Sequence, residues 1–320
     1  MHLDSKIYVA GHRGLVGSAI LNRLSTAGYE NIIVRTSTEL DLRDQSEVEI
    51  FFRKEKPEYV FMAAARVGGI KANNLYRAVF AYDNLMIQNN IIHHSFLNGV
   101  KKLLFLGSSC IYPKMAPQPL KEEYLLSGKL EDTNEPYAIA KIAGIKLCDA
   151  YRAQYGCNFI SAMPTNLYGA NDNYDLNNAH VLPALLRKFH EARVRGEKEV
   201  IVWGTGKPRR EFLCADDCAD ACLFLMRNYN EQGIVNIGIG EDISIKELAI
   251  LIKTVVGFEG RIKFDSTQPD GTPRKVLDIS RIRSLGWTAT VPLYEGLQRA
   301  YESFVSHSLN LNKSVLLPVY

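Results

Sequence analysis

Short apolar runs alternate with longer stretches of helical periodicity through the first half of the chain. The runs have the length of buried strands, and apolar residues between them recur at helical spacing. The predicted strands cover residues 6–10, 31–35, 59–64, 102–107 and 160–163. The predicted helices between them include residues 45–54 and 78–97. This alternation predicts an α/β fold with a doubly wound parallel sheet, whose active site lies at the carboxyl ends of the strands.

Glycines mark the junction between the first strand and the first helix. Residues 11–17 follow the strand directly and precede an apolar helical pattern. Strand, glycine turn and helix in this order predict a dinucleotide site of Rossmann type, because the turn lets backbone amides approach a diphosphate at a helix N-terminus. The predicted cofactor contacts in this loop are Gly11, His12, Arg13, Gly14, Leu15, Val16 and Gly17.

Tyr137 and Lys141 stand four residues apart in a predicted helix, so they share one helix face. A phenol has a pKa near about 10, and a neighbouring ammonium lowers that pKa towards the range of a general acid or base. The pair suits carbonyl reduction, and Ser108 follows a predicted strand at the expected edge of the sheet. The GxxGxxG spacing and the Tyr-Lys pair resemble the short-chain dehydrogenase/reductase superfamily.

The end of the second strand bears on the choice of nicotinamide cofactor. An NAD-specific site would place an acid about 20 residues after the glycines, whereas this chain has Arg35, a threonine and Ser37. A guanidinium can pair with a 2′-phosphate, and Arg13 would flank the same group. We therefore expect NADP(H); the alternative is that Arg35 is only a solvated strand end. The turn at Asp41 and Leu42 resembles the adenine-contacting turn of extended short-chain reductases.

Composition limits the remaining classes of function. The chain has 320 residues, 47% of them hydrophobic, which is enough for two lobes. A net charge of +3 with 23% charged residues gives no sign of nucleic acid or a membrane surface as a partner. The apolar runs are shorter than the roughly 18 residues of a membrane span, and no signal peptide is visible. Six scattered cysteines indicate reduced thiols and a cytoplasmic location.

Three of those cysteines have a spacing that invites a metal interpretation. Cys214, Cys218 and Cys222 would lie on one face of a predicted helix, which resembles a thiolate site. No fourth ligand follows at a zinc-like spacing. Because free cysteine commonly packs as a small hydrophobic residue, we predict no metal.

Five longer motifs narrow the resemblance to one family. They are residues 107–113 (GSSCIYP), 133–144 (TNEPYAIAKIAG), 164–169 (PTNLYG), 178–183 (NAHVLP) and 269–275 (PDGTPRK). Together they resemble the GDP-L-fucose synthase family, which epimerises GDP-4-keto-6-deoxy-D-mannose at C3 and C5 and reduces it at C4. The resemblance runs from about residue 6 to residue 304. The cysteine after paired serines and the Ala-His-Val-Leu-Pro segment are specific to this family.

The resemblance implies a set of catalytic residues. Cys110 and His180 would exchange protons on opposite faces of the sugar ring, while Tyr137 protonates the C4 oxygen during hydride transfer. Lys141 would tune Tyr137 and contact the nicotinamide ribose, and Ser108 would donate a hydrogen bond to the C4 oxygen. Purely structural roles for Cys110 and His180 are the alternative. Further cofactor contacts implied by the family are Leu106, Gly107, Ser108, Ser109, Tyr137, Lys141, Pro164, Thr165, Asn166, Leu167 and His180.

The resemblance also implies a substrate-binding lobe and a homodimer. Lys188, Trp203, Arg210 and Asp270 would bind the GDP part of GDP-4-keto-6-deoxy-D-mannose, with Arg210 on the diphosphate. The family often has Arg at position 188, and some relatives have an additional Arg at position 37, where this chain has Ser37. Extended reductases pair through the helices around residues 78–97 and Tyr137, so a homodimer is expected.

The predicted domain boundaries follow from this division. Residues 1–167 and 211–239 form the NADP-binding region, residues 168–210 and 240–308 form a smaller C-terminal α/β substrate lobe, and residues 309–320 form a poorly periodic tail. Two other functions remain open from the sequence. One is a non-redox nucleotide-sugar epimerase or dehydratase, against which Cys110 and His180 argue. The other is a catalytically inert NADP-binding protein, which would be expected to lose Tyr137 or Lys141.

Overall fold

A computed structural model describes residues 1–268 and 270–314, with side chains for all of these except residues 70 and 307–314. The first half contains β1 (Ile7–Ala10), α1 (Leu15–Thr26), β2 (Ile32–Ile33), α2 (Gln45–Glu55), β3 (Tyr59–Met62), α3 (Ile70–Leu75), α4 (Arg77–Leu97), β4 (Lys102–Leu106) and α5 (Glu135–Tyr155). The second half contains β5 (Phe159–Pro164), β6 (Asn166–Tyr168), α6 (Val181–Val194), β7 (Glu199–Trp203), β8 (Arg209–Arg210), β9 (Phe212–Cys214), α7 (Ala215–Asn228), β10 (Ile234–Ile237), β11 (Ile243–Ser244), α8 (Ile245–Val256), β12 (Arg261–Asp265), β13 (Arg274–Lys275), α9 (Ser280–Ser284) and α10 (Leu293–Ser314).

A six-stranded sheet in the order β10-β5-β4-β3-β1-β2 forms the centre of the molecule, and all its pairs are parallel. β1, β4, β5 and β10 are buried at every position, because helices cover both faces of the sheet. The predicted doubly wound α/β sheet is therefore confirmed. The second strand is shorter than the predicted 31–35, since the backbone turns at Thr36, whose N–H donates to Glu39 Oε2 at 2.7 Å.

A second apolar core lies outside this sheet and defines the smaller C-terminal lobe. Its largest contributions come from α6, β7, α8 and α10, through fully or nearly fully buried side chains such as Leu186, Phe189, Leu248, Ile252 and Leu297. These helices cover a two-stranded parallel sheet of β7 and β12. The lobe also carries a three-stranded sheet in the order β11-β8-β13.

Two features depart from the sequence-based expectations. Leu277, Ile282 and Trp287 pack in the core of the large sheet, although the predicted boundaries assign them to the substrate lobe. The last helix continues through Ser314, past the predicted start of the tail, and residues 315–320 of that tail lie outside the described residues. Among residues 1–268 and 270–314, no helix combines the length and apolar character needed to cross a membrane.

Candidate active site

The carboxyl end of β4 places two of the predicted catalytic side chains next to each other. Ser108 follows the strand and caps a short 3₁₀ turn, Ser109–Ile111, by accepting a hydrogen bond from the Cys110 N–H at 3.3 Å. This turn buries Cys110, which keeps only 8% of its surface exposed. A strand end followed by a tight turn therefore brings Ser108 and Cys110 to the edge where a doubly wound sheet binds its ligands.

Helix α5 brings Tyr137 and Lys141 to the same edge. The Lys141 side chain is buried, and its Nζ donates to Leu106 O, on the last residue of β4, at 2.8 Å. The same nitrogen lies 4.8 Å from the centre of the Phe105 ring and 5.9 Å from the centre of the Tyr137 ring. One carbonyl and two aromatic faces thus fix the ammonium beside the phenol.

Burial dominates the titration of this group of residues. Desolvation raises the pKa of Tyr137 well above its usual value, and the Ser108 hydroxyl opposes that shift. Desolvation also lowers the pKa of Lys141 to about 8. The expectation that a neighbouring ammonium lowers the pKa of Tyr137 is therefore wrong for its net direction. The sequence showed that the two residues are close, but it did not show that both are buried.

His180 occupies the N-cap of α6, where its side chain caps no helix N–H. His180 is exposed, yet enough protein atoms lie around the imidazole to desolvate it. This desolvation lowers the pKa of His180, and the Lys275 ammonium lowers it further. The Cys110 thiol behaves in the opposite way, because burial raises its pKa while Lys275 and Ser108 oppose the rise. At neutral pH the pair is a neutral imidazole and a protonated thiol.

Lys275 also belongs to this site. It ends the 269–275 motif, but the sequence analysis predicted no catalytic or binding role for it. It lies on β13, and its ammonium acts on both Cys110 and His180. Burial lowers the pKa of Lys275 to about 8. A cavity of about 40 Å³ next to Cys110 has Lys114, Asn134 and Lys275 among its walls. The signal for Lys275 was its position at the end of the 269–275 motif.

The glycine loop has the shape that a bound diphosphate requires. An added Cβ at Gly17 would come closer than 3.0 Å to Gly11 O, and one at Gly11 would lie 2.7 Å from Ala64 N. Gly14 is the N-cap of α1, and no side chain caps the N–H groups of the first turn. The predicted residues 11–17 thus fit a dinucleotide at a helix N-terminus.

Arg35 makes an ion pair that its position in the sequence did not reveal. Its guanidinium donates to Glu55 Oε1 at 2.8 Å and lies 5.6 Å from the centre of the Phe51 ring. The side chain remains 34% exposed, so the ion pair orients the guanidinium without burying it. Arg13 and Ser37 are both exposed in the neighbouring loops. The partner Glu55 lies one helix away in sequence, so spacing alone did not reveal this ion pair.

The other predicted cofactor residues surround the same edge of the sheet. Gly107 lies against Met163, where an added Cβ would meet the methionine side chain. Thr165 N–H donates to Ile237 O at 3.0 Å, and Asn166 Nδ2 donates to Glu211 O at 2.8 Å. The remaining predicted contacts flank these positions or the glycine loop and are His12, Leu15, Val16, Asp41, Leu42, Leu106, Ser109, Pro164 and Leu167.

The predicted substrate residues lie in the C-terminal lobe. Lys188 Nζ lies 5.2 Å from the centre of the Trp203 ring, and 56% of the Trp203 surface is exposed. Asp270 accepts hydrogen bonds from the Thr205 N–H at 2.9 Å and from the Thr205 hydroxyl at 2.7 Å. Burial lowers the pKa of Arg210, against the opposing charge of Asp270. The structure thus places an aromatic surface and cations on one lobe.

A buried carboxylate, which the sequence did not reveal, holds the strand that carries Arg210. Glu211 is fully buried and accepts from the N–H groups of Ile239, Gly240 and Leu277 at 2.6, 2.8 and 2.8 Å. These three bonds join the end of β10 to the segment after β13. They fix the position of Arg210 relative to the edge of the large sheet.

The cysteine row departs from its predicted geometry. Cys214 ends β9, and α7 begins one residue later, so only Cys218 and Cys222 lie on the helix. All six cysteines are free thiols. Within the described part of the chain, His, Cys, Asp and Glu side chains form no group of three or more that could hold a metal ion.

Comparison with known proteins places this site in a family. Residues 7–238 match the NAD dependent epimerase/dehydratase family. The chain is 60% identical to GDP-L-fucose synthase 1 of Arabidopsis thaliana, over 96% of this chain and 95% of that protein. It is 51% identical to GDP-L-fucose synthase of Escherichia coli strain K12, over 94% and 97% of the two chains.

A solved structure agrees with these relatives. The GDP-L-fucose synthetase of Naegleria fowleri bound to NADP superposes with a TM-score of 0.89 at 30% identity, over 97% of this chain and 96% of that one. Fold and full-length sequence therefore point in the same direction. The chain belongs to the NAD dependent epimerase/dehydratase family and, within it, to the GDP-L-fucose synthases.

Proposed function

We propose that this protein converts GDP-4-keto-6-deoxy-D-mannose to GDP-L-fucose by epimerisation at C3 and C5 and NADPH-dependent reduction at C4. The observation that carries the proposal is the grouping of Ser108, Cys110, Tyr137 and Lys141 at the carboxyl end of β4. The charge of Lys275 acts on both Cys110 and His180. This shared neighbour supports His180 as a second proton-transfer group of the same site.

Epimerisation uses Cys110 and His180 as the two proton-transfer groups. One group removes the proton from the carbon beside the ketone, and the bonding electrons move onto the C4 oxygen. The other group returns a proton to the opposite face of the same carbon. Because the pair is a thiol and a neutral imidazole at neutral pH, it begins with one proton to donate and one site to accept. The Ser108 hydroxyl donates to the charged oxygen.

Reduction uses Tyr137 and Lys141. NADPH, when bound, supplies the hydride for C4. Tyr137 delivers its phenolic proton to the C4 oxygen, and the Lys141 ammonium stabilises the phenolate that remains. The buried position of Lys141 on Leu106 O keeps that charge in a setting of low dielectric, where it acts strongly on its neighbour.

NADP(H) is the cofactor that we assign to the glycine loop. Residues 11–17 hold the diphosphate, and the 2′-phosphate falls to Arg35 and Arg13, with Ser37 beside them; Glu55 orients the Arg35 guanidinium. Asp41 and Leu42 face the adenine. The nicotinamide end is held by residues 106–109, Tyr137, Lys141, residues 164–167 and His180.

The substrate lobe binds the GDP part of the substrate. Arg210 pairs with the diphosphate, because a guanidinium in a partly buried position attracts an anion more strongly than one in bulk water. Lys188 and Trp203 present a cation on an aromatic face, which suits the guanosine and its phosphate. Asp270 lies on the opposite side, on the Thr205 turn.

We assign cofactor binding and substrate binding to the regions that the sequence-based boundaries define. Residues 1–167 and 211–239 carry the cofactor and residues 168–210 and 240–308 carry the substrate, although Leu277, Ile282 and Trp287 of the last range pack with the large sheet. Residues 309–314, in the range predicted as a tail, continue α10. Two copies pair through α4 and α5, and the exposed Val79, Tyr82 and Ile139 on these helices support a homodimer. Six free thiols support a reducing, cytoplasmic location.

The test is to mix the purified protein with NADPH and GDP-4-keto-6-deoxy-D-mannose in deuterated water. Nicotinamide absorbance follows reduction, and NMR of the product locates deuterium. Stoichiometric loss of NADPH with deuterium at both C3 and C5 of GDP-L-fucose is expected. Oxidation without deuterium would reduce Cys110 and His180 to structural residues of a simple 4-reductase. If neither occurred, the substrate assignment would be wrong. NADH in place of NADPH is expected to support slower turnover.

A further inference from the structure

The loop that carries His180 is held from outside by a glycine pair on the large domain. Gly69 N–H donates to Asn178 O at 2.8 Å, two residues before His180. A Cβ at Gly69 would approach Ala179 O to less than 3.0 Å and would lie 3.2 Å from Ala179 C. Gly69 has φ −67° and ψ 178°, which any residue adopts. Its lack of a side chain is therefore needed for the close approach and not for the local backbone.

The glycine pair is itself fixed in place. Asn73 is buried, and its Nδ2 donates to Gly68 O at 2.5 Å and to Gly69 O at 3.1 Å. Lys71 Nζ reaches the same loop and donates to Asn177 Oδ1 at 2.8 Å. The short helix α3 and its N-cap, Gly69, thus supply the side-chain donor and the backbone donor that meet the loop.

The loop is braced within itself as well. Asp175 O accepts the N–H groups of Asn178 and Ala179 at 2.9 and 2.6 Å, and an Asp175 carboxylate oxygen accepts the Asn177 N–H at 2.9 Å. Residues 175–179 therefore move as one piece. A displacement at Ala179 is passed to the backbone of His180, because His180 is the next residue in the chain.

We propose that Gly69 is a positioning residue that sets the place of the His180 imidazole for proton transfer to the sugar. This inference deepens the proposed function and rests on it. Alanine at position 69 would have to push Ala179 O away by about 1 Å to reach ordinary contact at 3.4 Å. A displacement of that size costs about 100-fold in a step that depends on alignment.

The first test compares Gly69→Ala with the wild-type protein in deuterated water. Exchange of deuterium into C3 and C5 is expected to fall about 100-fold. Hydride transfer is measured separately, as the single-turnover reduction of NADP⁺ by GDP-L-fucose. It is expected to fall much less than exchange, because Tyr137 and Lys141 carry that step and His180 is one of many residues at the nicotinamide. Gly99→Ala is the matched control, since Gly99 has φ +70° and no atom within 4 Å of an added Cβ. It introduces strain far from the loop and should leave both rates nearly unchanged.

The second test follows His180 itself by NMR, without any turnover. Histidine ring carbons are labelled, and the His180 signal is assigned among the seven histidines by its loss in His180→Asn. Desolvation by the surrounding protein atoms lowers the pKa of His180. A displaced imidazole in Gly69→Ala should therefore titrate closer to its ordinary value. If Gly69→Ala does not fold, Asn73→Leu takes its place, because it removes both hydrogen bonds from Asn73 Nδ2 to the glycine carbonyls. It should shift the pKa of His180 in the same direction.

The outcomes separate this inference from the proposed function. If wild-type protein incorporates no deuterium, the proposed epimerisation is wrong, and the NMR titration still tests the position of His180. If wild-type protein exchanges deuterium and Gly69→Ala does so equally fast, Gly69 has no positioning role. Equal losses of exchange and hydride transfer would also overturn the inference, because they would indicate a general structural defect.

Discussion

Replacement of Lys141 by methionine measures what one buried charge contributes to proton transfer from Tyr137. Methionine matches the lysine stem in length but carries no charge. The ammonium lies 5.9 Å from the centre of the Tyr137 ring. At an effective dielectric constant of about 20, a unit charge at that distance is worth about 2.8 kcal/mol to the phenolate. Since each 1.36 kcal/mol is a factor of about ten in rate, hydride transfer should slow about 100-fold at pH 7.

The pH dependence sharpens this prediction, because burial lowers the pKa of Lys141 to about 8. At pH 7 most wild-type molecules carry the charge, whereas at pH 9 only about one in ten does. The advantage of wild-type protein over Lys141→Met should therefore shrink to about tenfold at pH 9. Exchange of deuterium at C3 and C5 should fall much less than hydride transfer, since Cys110 and His180 carry that step.

The assay is stopped-flow nicotinamide absorbance at both pH values, with deuterated NADPH to confirm that hydride transfer limits the rate. Lys146→Met is the matched control, because Lys146 lies on the same helix with an exposed side chain 3.7 Å from Asp149. It should leave the rate unchanged. A ratio of wild-type to Lys141→Met rates that stays constant between pH 7 and pH 9 would refute the electrostatic role of Lys141.

Three further substitutions test other parts of the molecule. Cys110→Ser should slow deuterium exchange at least about 100-fold, because a hydroxyl replaces the thiol as acid–base group. Oxidation of GDP-L-fucose by NADP⁺ should persist. Equal losses of exchange and oxidation would argue against a dedicated proton-transfer role. Tyr137→Phe should show the reverse, with reduction lost and exchange retained in the NMR assay. Lys102→Met should lower the free energy of unfolding by about 2–4 kcal/mol in urea titrations, because buried Lys102 Nζ donates to the carbonyls of Leu225, Met226 and Tyr229 at the end of α7. Burial lowers the pKa of Lys102 to about 8 from an ordinary 10.5. Between these two pH values the unfolded chain binds more protons than the folded chain, so the free energy of unfolding of the wild-type protein should rise with pH. A Lys102→Met protein whose free energy of unfolding rises with the same slope would contradict this assignment.

Local sequence signals predicted most of the fold. Apolar runs became the inner strands, because helices cover both faces of the sheet and every position of such a strand is buried. The second strand was overestimated, since Glu39 accepts from Thr36 and closes a turn that apolar spacing does not encode. The sequence also did not show which distant segments pack into the same core. Trp287 packs with the large sheet, although it follows the substrate lobe along the chain.

The active site divides in the same way between local and distant determinants. Ser108 and Cys110 share one turn, and Tyr137 and Lys141 share one helix face, so spacing alone brings each pair together. Contacts between distant segments were not predictable from a single sequence. The ion pair of Arg35 with Glu55, 20 residues further along the chain, is one such contact.

Burial is the property that sequence spacing conveys least, and it decides the protonation state of the site. Spacing correctly placed a cation beside Tyr137, but desolvation raises the pKa of that phenol and lowers the pKa of Lys141 to about 8. The same desolvation raises the pKa of Cys110 and lowers that of His180. Every group therefore shifts towards its neutral form. With the thiol, the imidazole and the phenol neutral, none of these three groups balances the charges of Lys141 and Lys275, so an enediolate or an alkoxide at C4 is the anion that this site is built to receive.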